Sequence, residues 1–500
     1  MTARHSSPQA ALAGEGVPGH ASTRRLFVKS VLASMLSSGG IDALTGSRAY
    51  GATTRPSPFD QLPSLDGELV ADDASRQAVA GDFGHHIHRS PGAVLRPGSV
   101  ADISRIVTYA NKRGLKVAMR GRGHSLYGQA QVADGIVIDS TTLNGVRWNG
   151  NNTLDAQPGA LWGHVAKAAL ARGLTPPVMP DALMLSVGGT LSVGGTGEMS
   201  YRAGAQVDHV LELDVITGAG QRVTCSPERH EELFRMMLAG LGQCGVIVRA
   251  RLRLVQAPEH VEMRAFTYED VASLLMDQAR LTAVDTIGPL GGTVSREPNG
   301  QWRFVLLAGT FLEKTDGEDP APAWLSGLRY KAAATPVRMP YWDYLDRRTA
   351  SIAAGIASGR PNPSLAVMQP DASALPFLTH VLSTPEAFAG IWRIEVFPMI
   401  TSRFTQPLHK IPAAALAFTL RLQRRASASG APDHEAMLAA NRTLVRRLYA
   451  AGGKVYPPYA PPLSRDEWRE HYGPETWRQF AAAKKRFDPA NVLTPGAGIF

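Results

Sequence analysis

Cysteine is scarce: Cys225 and Cys244 are the only two in 500 residues. That excludes a disulfide framework and a cysteine zinc cluster. One bridge would need an oxidising compartment and well-placed sulfurs, so two buried thiols are expected. Long apolar runs are lacking too. No stretch reaches the roughly 18 apolar residues of a membrane-spanning helix, so no transmembrane segment is expected. The formal net charge is +9, which by itself could attract an anionic partner. Yet no Lys/Arg-rich run of about five to eight residues appears. Without a nucleic-acid-binding motif either, nucleic acid is not an expected partner. The rest is an ordinary globular balance, 44% hydrophobic and 19% charged, in a chain long enough for two or three domains.

The N-terminus reads as an address rather than as fold. "STRRLFVKS" (22–30) carries Arg24-Arg25, and a weakly apolar stretch of small residues follows. Ala49-Tyr50-Gly51 offers a small-x-small cleavage site. Residues 1–51 are thus expected to be a twin-arginine export signal, which places the mature protein in the periplasm or outside the cell. That route carries folded proteins, often with a cofactor already in place. Residues 52–70, with Pro56, Pro58 and Pro63, read as a linker.

An α/β pattern follows. In "SVADISRIVTYANKRG", Ser99 and Asp102 have capping-box spacing, Ile103, Ile106, Val107 and Ala110 recur at helical spacing, and Gly114 stops the helix. Strands are expected at 115–119 and 135–140, and 153–173 reads as strand, Pro-Gly turn and helix. Residues 210–226 alternate and turn at Gly218-Ala219-Gly220, a hairpin. Residues 231–255 give a helix, a glycine turn and a strand. The character changes near 257–262, and the tail is helical from 465 to Phe487.

Two glycine-rich stretches carry chemistry. In "MRGRGHSLYGQA" (119–130), bare N–H groups can approach an anion. A dinucleotide fingerprint would need Gly where Leu126 stands, and a P-loop would need Lys where Gln129 stands. Two readings stay open: a different anion loop with His124 at the ligand, or a turn whose histidine is merely hydrogen-bonded. "SVGGTLSVGGTG" (186–197) repeats Val-Gly-Gly-Thr, enough N–H donors to wrap a long phosphate-bearing cofactor from a second side. Asp181 precedes it among Val178, Met179, Ala182, Leu183, Met184 and Leu185. Such company should desolvate the carboxyl and raise its pKa, suiting a proton acceptor, although a helix N-cap is an equal reading. In "GHHIHRS", His85, His86 and His88 have no clustered carboxylate or cysteine to complete a metal site, so a solvated loop is expected and no metal.

"RGRGHSLYGQA", "PDALMLSVGGTLS", "VLELDVITGAGQRVTCS", "AGLGQCGVIVRARL" and "RFDPANVLTPGAGIF" occur in this order. Together they resemble the cytokinin dehydrogenases of the vanillyl-alcohol oxidase type FAD family, strongly over about 75–260 and 455–500 and weakly between. The resemblance implies an α+β fold: a two-subdomain PCMH-type FAD-binding domain built from 71–260 and the tail 452–500. An α+β substrate domain, 261–451, is inserted between them. It implies FAD bonded covalently to His124. No cysteine stands near Asp181 for a second tether. It implies further cofactor positions at Gly121, Arg122, Gly123, Ser125, Gln129, Asp181, Ser186, Ser192, Thr196, Ile247, Tyr459 and Thr494. Ala497 replaces a family glutamine. Asp181 takes the family's catalytic place, accepting a hydrogen bond from a secondary amine. Hydride passes to the flavin, and the resulting imine hydrolyses to an amine and an aldehyde.

The departures lie in the substrate half. Ser364, in "NPSL", stands where the family has a pocket tryptophan, and Ala460 replaces a leucine. "PLGGTVS" (289–295) offers no counterpart of the family's adenine-facing glutamate. Both replacements should open the pocket. The expected function is oxidation of the C–N bond of a small cytokinin-like amine, with oxygen or a quinone as electron acceptor. Oxidation of an alcohol or sugar is the alternative, and a flavin carrier without turnover the non-enzymatic one.

Overall fold

The computed structural model describes residues 59–313, 322–357, 359–426 and 431–500. The expected export signal, 1–51, lies outside the described residues.

Three large sheets, besides a two-stranded one, organise the described residues. The first holds strands Glu68–Val70, Ala93–Arg96, Ile136–Asp139 and Val117–Arg120 in that spatial order. Its first pair is antiparallel and the other two are parallel. Parallel neighbours need a crossover, and helix Val100–Arg113 supplies one. It buries Ile103, Ile106, Val107 and Ala110 against Leu95, Val117, Ile136 and Ile138, and ends at Gly114 in the left-handed region. Asp102 does more than cap. Fully buried, its carboxylate accepts from the backbone N–H groups of Asp66, Gly67, Gly98 and Ser99, and so latches the entering chain onto the helix. Those bonds hold its pKa below the usual range despite burial.

The second sheet is antiparallel, in the order Val146–Gly150, Thr153–Ala156, Gly245–Arg253, Val210–Thr217, Arg222–Cys225. The hairpin read at 210–226 is its outer pair. The C-terminal tail returns to this half. Helices Arg465–Tyr472 and Pro474–Phe487 precede an extended run in which Val117 donates to Val492 O and Thr494 donates to Val117 O. Buried Lys484 fastens it, donating to Asp488 (2.7 Å), Gln243 O (3.0 Å) and Leu493 O (3.3 Å).

The third and largest sheet has nine antiparallel strands. Its middle runs His260–Tyr268, Trp302–Leu312, Ile287–Arg296, Ile391–Ile400, Leu416–Arg424, Leu365–Pro370. Strand Lys454–Val455 extends one end, so this sheet reaches past residue 451 into the stretch expected to be tail. A two-residue side-chain period divides the faces. Ile394, Val396, Leu420 and Leu422 are fully buried in the core, while helices Val271–Leu281, Asp371–Ser383 and Ala431–Ala450 pack on the sheet. Each such side chain is worth about 1.5–3 kcal/mol. The alternate residues, Arg393, Glu395, Phe397, Arg421 and Gln423, line a cavity on the other side.

Candidate active site

Strand Val117–Arg120 runs straight into the first glycine loop, and Ser186 is the N-cap of helix Val187–Val193. The two loops touch so closely that a Cβ on Gly121 would sit 2.1 Å from Ser186 Oγ. Here glycine is required by proximity. The two Val-Gly-Gly-Thr copies differ in shape: the first is helical, whereas the second leaves the helix through Gly194 and Gly195, both at positive φ. Ser192 Oγ donates within the helix to Gly188 O at 2.7 Å. Gln129 Nε2 donates to Pro457 O at 2.6 Å, and Thr494 Oγ1 to Gly242 O at 3.1 Å, tying both ends of the chain together here.

The result is one cleft. Gly121, Arg122, Gly123, His124, Ser125, Gln129, Asp181, Ser186, Ser192, Thr196, Ile247, Tyr459 and Thr494 all line it, as does Ala497. Seven glycines contribute to the lining, a wall of bare N–H groups suited to a pyrophosphate. The residues present therefore fit FAD. His124 stacks on Phe83, ring centroids 3.8 Å apart, and its ring nitrogens take no hydrogen bond from the described residues. Burial, with the Arg421 cation nearby, pushes its pKa down to about 4. It is a neutral imidazole with free nitrogen lone-pair capacity in the cleft, not the hydrogen-bonded turn histidine that the loop alone left open.

Beyond His124 the cleft meets a chamber of about 620 Å³. His124, Ile352, Arg421 and Tyr459 line both. At this junction stands Asp181, and its surroundings correct the sequence reading. Its apolar chain neighbours are not its partners. Arg421 Nη2 lies 2.8 Å and Arg348 Nη1 3.3 Å from Asp181 Oδ2. Nor does it cap a helix, since the next helix begins at Val187. The same two arginines grip Glu395: Arg421 at 3.2 Å, Arg348 closer still. Two carboxylates and two guanidinium groups thus form a closed ring. Burial would raise the Glu395 carboxyl, but Arg348 and Arg421 outweigh it and hold it at about 2. Both contacts to Asp181 fall on Oδ2, and no hydrogen bond from the described residues reaches Oδ1. The ring therefore fixes the carboxylate and leaves one oxygen to a ligand. Nearby, Glu198 accepts from Tyr344 and Arg347, both at 2.6 Å, at the chamber wall.

Arg348, Arg421 and Glu395 were absent from the sequence reading. A signal existed: charged residues on alternate positions of otherwise apolar strands, in "RIEVF" and "TLRLQR". Of the two pocket departures, Ser364 lines the chamber, its Oγ donating to Asn362 Oδ1 (2.7 Å) and accepting from Arg424 N (3.0 Å). Ala460 is buried and lines neither cavity, so only one replacement opens the pocket. Gly291, Gly292, Thr293 and Ser295 of "PLGGTVS" also line it. His85 and His88 are exposed, as a solvated loop requires. His86 is not: its side chain turns inward, edge-on to Tyr127 at 4.8 Å. Among the described residues no cluster of three or more His, Cys, Asp or Glu is placed to hold a metal. No helix among them is long and apolar enough to cross a membrane. Cys225 and Cys244 are both free and buried.

The fold and cleft are those of a PCMH-type FAD-binding oxidoreductase. A family model described as "FAD binding domain" matches residues 91–226, and one described as "Cytokinin dehydrogenase 1, FAD and cytokinin binding" matches 315–500. The chain belongs to the cytokinin dehydrogenase family of FAD-dependent oxidoreductases. It is 36% identical over 441 residues to the "Uncharacterized oxidoreductase ORF5 in fasciation locus" of Rhodococcoides fascians, covering 86% of this chain and 99% of that protein. It is 33% identical to Cytokinin dehydrogenase 9 of Oryza sativa subsp. japonica, covering 90% of this chain and 94% of the relative. Among solved structures, 6-hydroxy-D-nicotine oxidase from Arthrobacter nicotinovorans shares the fold, with a TM-score of 0.67 at 22% identity over 86% of this chain and 96% of that one.

Proposed function

We propose that the chain, with FAD tethered through His124, oxidises the C–N bond of a small secondary amine. The observation that carries this reading is the junction: a neutral histidine in the cofactor cleft, a ring-held carboxylate with one open oxygen, and a chamber beginning at the same residues. FAD, when bound, supplies the hydride acceptor. The chain's own residues do the rest. Asp181 Oδ1 accepts the hydrogen bond of the substrate N–H and, as the C–N bond is oxidised, its proton. Arg348 and Arg421 keep that carboxylate aimed, because their other contacts are committed to Glu395. Tyr459, half-buried between cleft and chamber, helps keep water from the reacting centre. The relatives named as cytokinin dehydrogenases support an amine of that type. A neutral imidazole is the form whose ring nitrogen can bond to carbon, which supports the covalent link.

The reading also places the protein outside the cytoplasm, exported through Arg24-Arg25, with oxygen or a quinone as terminal acceptor. Anaerobic mixing of the FAD-loaded protein with amines, alcohols and sugars tests the oxidation. Amines should bleach the flavin and leave a free amine and an aldehyde. Bleaching by sugars or alcohols alone would overturn the choice of substrate. Re-admitting oxygen, then a quinone, identifies the acceptor. Fractionating cells that express the chain with Arg24 and Arg25 replaced by lysine tests export: the variant should stay in the cytoplasm.

A further inference from the structure

The chamber is far more cationic than a neutral amine requires. Nine arginines and three glutamates line it. The glutamates are already engaged: Glu395 in the ring, Glu198 by Arg347, and Glu297 by Arg303 at 3.4 Å. Arg393 is different. It is half-buried in the middle of the large sheet, and no carboxylate of the described residues lies within 4.0 Å of its guanidinium. Burial and the neighbouring guanidinium groups of Arg348, Arg421 and Arg303 lower its pKa despite Glu395. Glu395 offsets the positive charge there only in part, and no carboxylate pairs with it directly.

Register shows what surrounds it. Ser295 pairs with Arg303 on one side and with Arg393 on the other, and Arg393 pairs with Gln423. Arg303, Ser295, Arg393 and Gln423 therefore stand in one cross-strand row, and all four line the chamber. The adjacent row on the same face is Val305, Thr293, Glu395 and Arg421, which includes half of the ion ring. Two residues along a strand is about 7 Å. A row of hydrogen-bond donors thus lies about one small-molecule length from the groups that hold Asp181. Paired guanidinium groups with amide and hydroxyl donors are chemistry for a phosphate or carboxylate.

We infer that this row binds an anionic group, a phosphate monoester or a carboxylate, at the end of the substrate remote from the reacting C–N bond. The proposal deepens the oxidation reading and rests on it. The chain would then favour anionic relatives of neutral N-alkylated amines.

The test uses the FAD-loaded full chain. N6-alkyladenosine, its 5′-monophosphate and a long-chain N-alkyl ω-amino acid are compared by anaerobic flavin reduction. The monophosphate or the amino acid should exceed the neutral nucleoside in kcat/KM by about tenfold or more, the yield of a charge-assisted hydrogen bond, and the two arms tell phosphate from carboxylate. R393Q should bring the ratio of anionic to neutral substrate close to one, R393K should restore part of it, and R303Q should lower it in the same direction. Equal rates for nucleoside and monophosphate with no advantage for the amino acid, or an unchanged ratio in R393Q, would overturn the anion site. Should no probe reduce the flavin, the oxidation reading falls and binding decides the row. Adenosine monophosphate perturbing the flavin spectrum at lower concentration than adenosine, with the difference lost in R393Q, supports it, and equal binding overturns it.

Discussion

Replacing Glu395 by glutamine removes one of two negative charges from the ring and leaves Arg348 and Arg421 sharing Asp181 alone. The magnitude follows from the ring itself. Glu395 is 1% exposed and held at about 2 instead of its ordinary 4.5. A carboxyl so depressed contributes about 3 kcal/mol at neutral pH. Breaking a buried ion pair by removing one partner costs about 3–5 kcal/mol by direct measurement in other proteins. The two routes agree. The sign with pH is also set. The folded pKa lies below the unfolded one, so this stability is fully present above pH 4.5 and is lost as pH falls towards 2. Urea unfolding of FAD-loaded wild type and E395Q at several pH values measures the gap, and other acidic groups common to both proteins largely cancel in the difference. The gap should be about 3 kcal/mol at pH 7 and about half that near pH 3. A gap that stays constant with pH, or that is absent at pH 7, would refute the ring as a source of stability.

Four further outcomes follow from the site and its scaffold. Asp181→Asn should slow substrate-driven flavin reduction by about 10²–10⁴-fold in a protein that still binds FAD, and an unchanged rate in stopped-flow would remove Asp181 from the chemistry. Wild-type polypeptide denatured in acid should stay yellow, whereas His124→Ala should release its flavin on filtration, and free flavin from both would sink the tether. Lys484→Met leaves Asp488 buried without its cation and should cost about 3–5 kcal/mol, seen as a lowered melting temperature. Cys225 and Cys244, both buried with pKa values raised to about 12, should ignore a thiol reagent in the native state. Both should react after unfolding, and rapid native labelling would contradict their burial.

The sequence made local devices legible and left the long-range electrostatics unread. The helix from Val100 to Arg113 was visible because its apolar spacing and its Gly114 stop lie within fifteen residues or so of one another. The glycine loops were visible for the same reason, and every cofactor position carried over from the family resemblance falls at the one cleft. Asp181 was placed at the site, but its environment was misread. Neighbours in the chain suggested an apolar pocket, whereas Arg348 and Arg421 arrive from the inserted half, 167 and 240 residues away. Only strand register brings Glu395 opposite Arg421, and register is a property of the folded sheet. The same limit hid the row around Arg393. The repeated Val-Gly-Gly-Thr shows the converse: identical tetrapeptides took different shapes because one follows a cap at Ser186 and the other ends the helix.

Thr494, five residues beyond Pro489, closes against Gly242 and beside Val117. The ribosome therefore finishes the cofactor's berth last. A nascent chain cannot close this cleft until Thr494 and Ala497 have been made and have cleared the exit tunnel, long after Gly121 and Ser186 are in place.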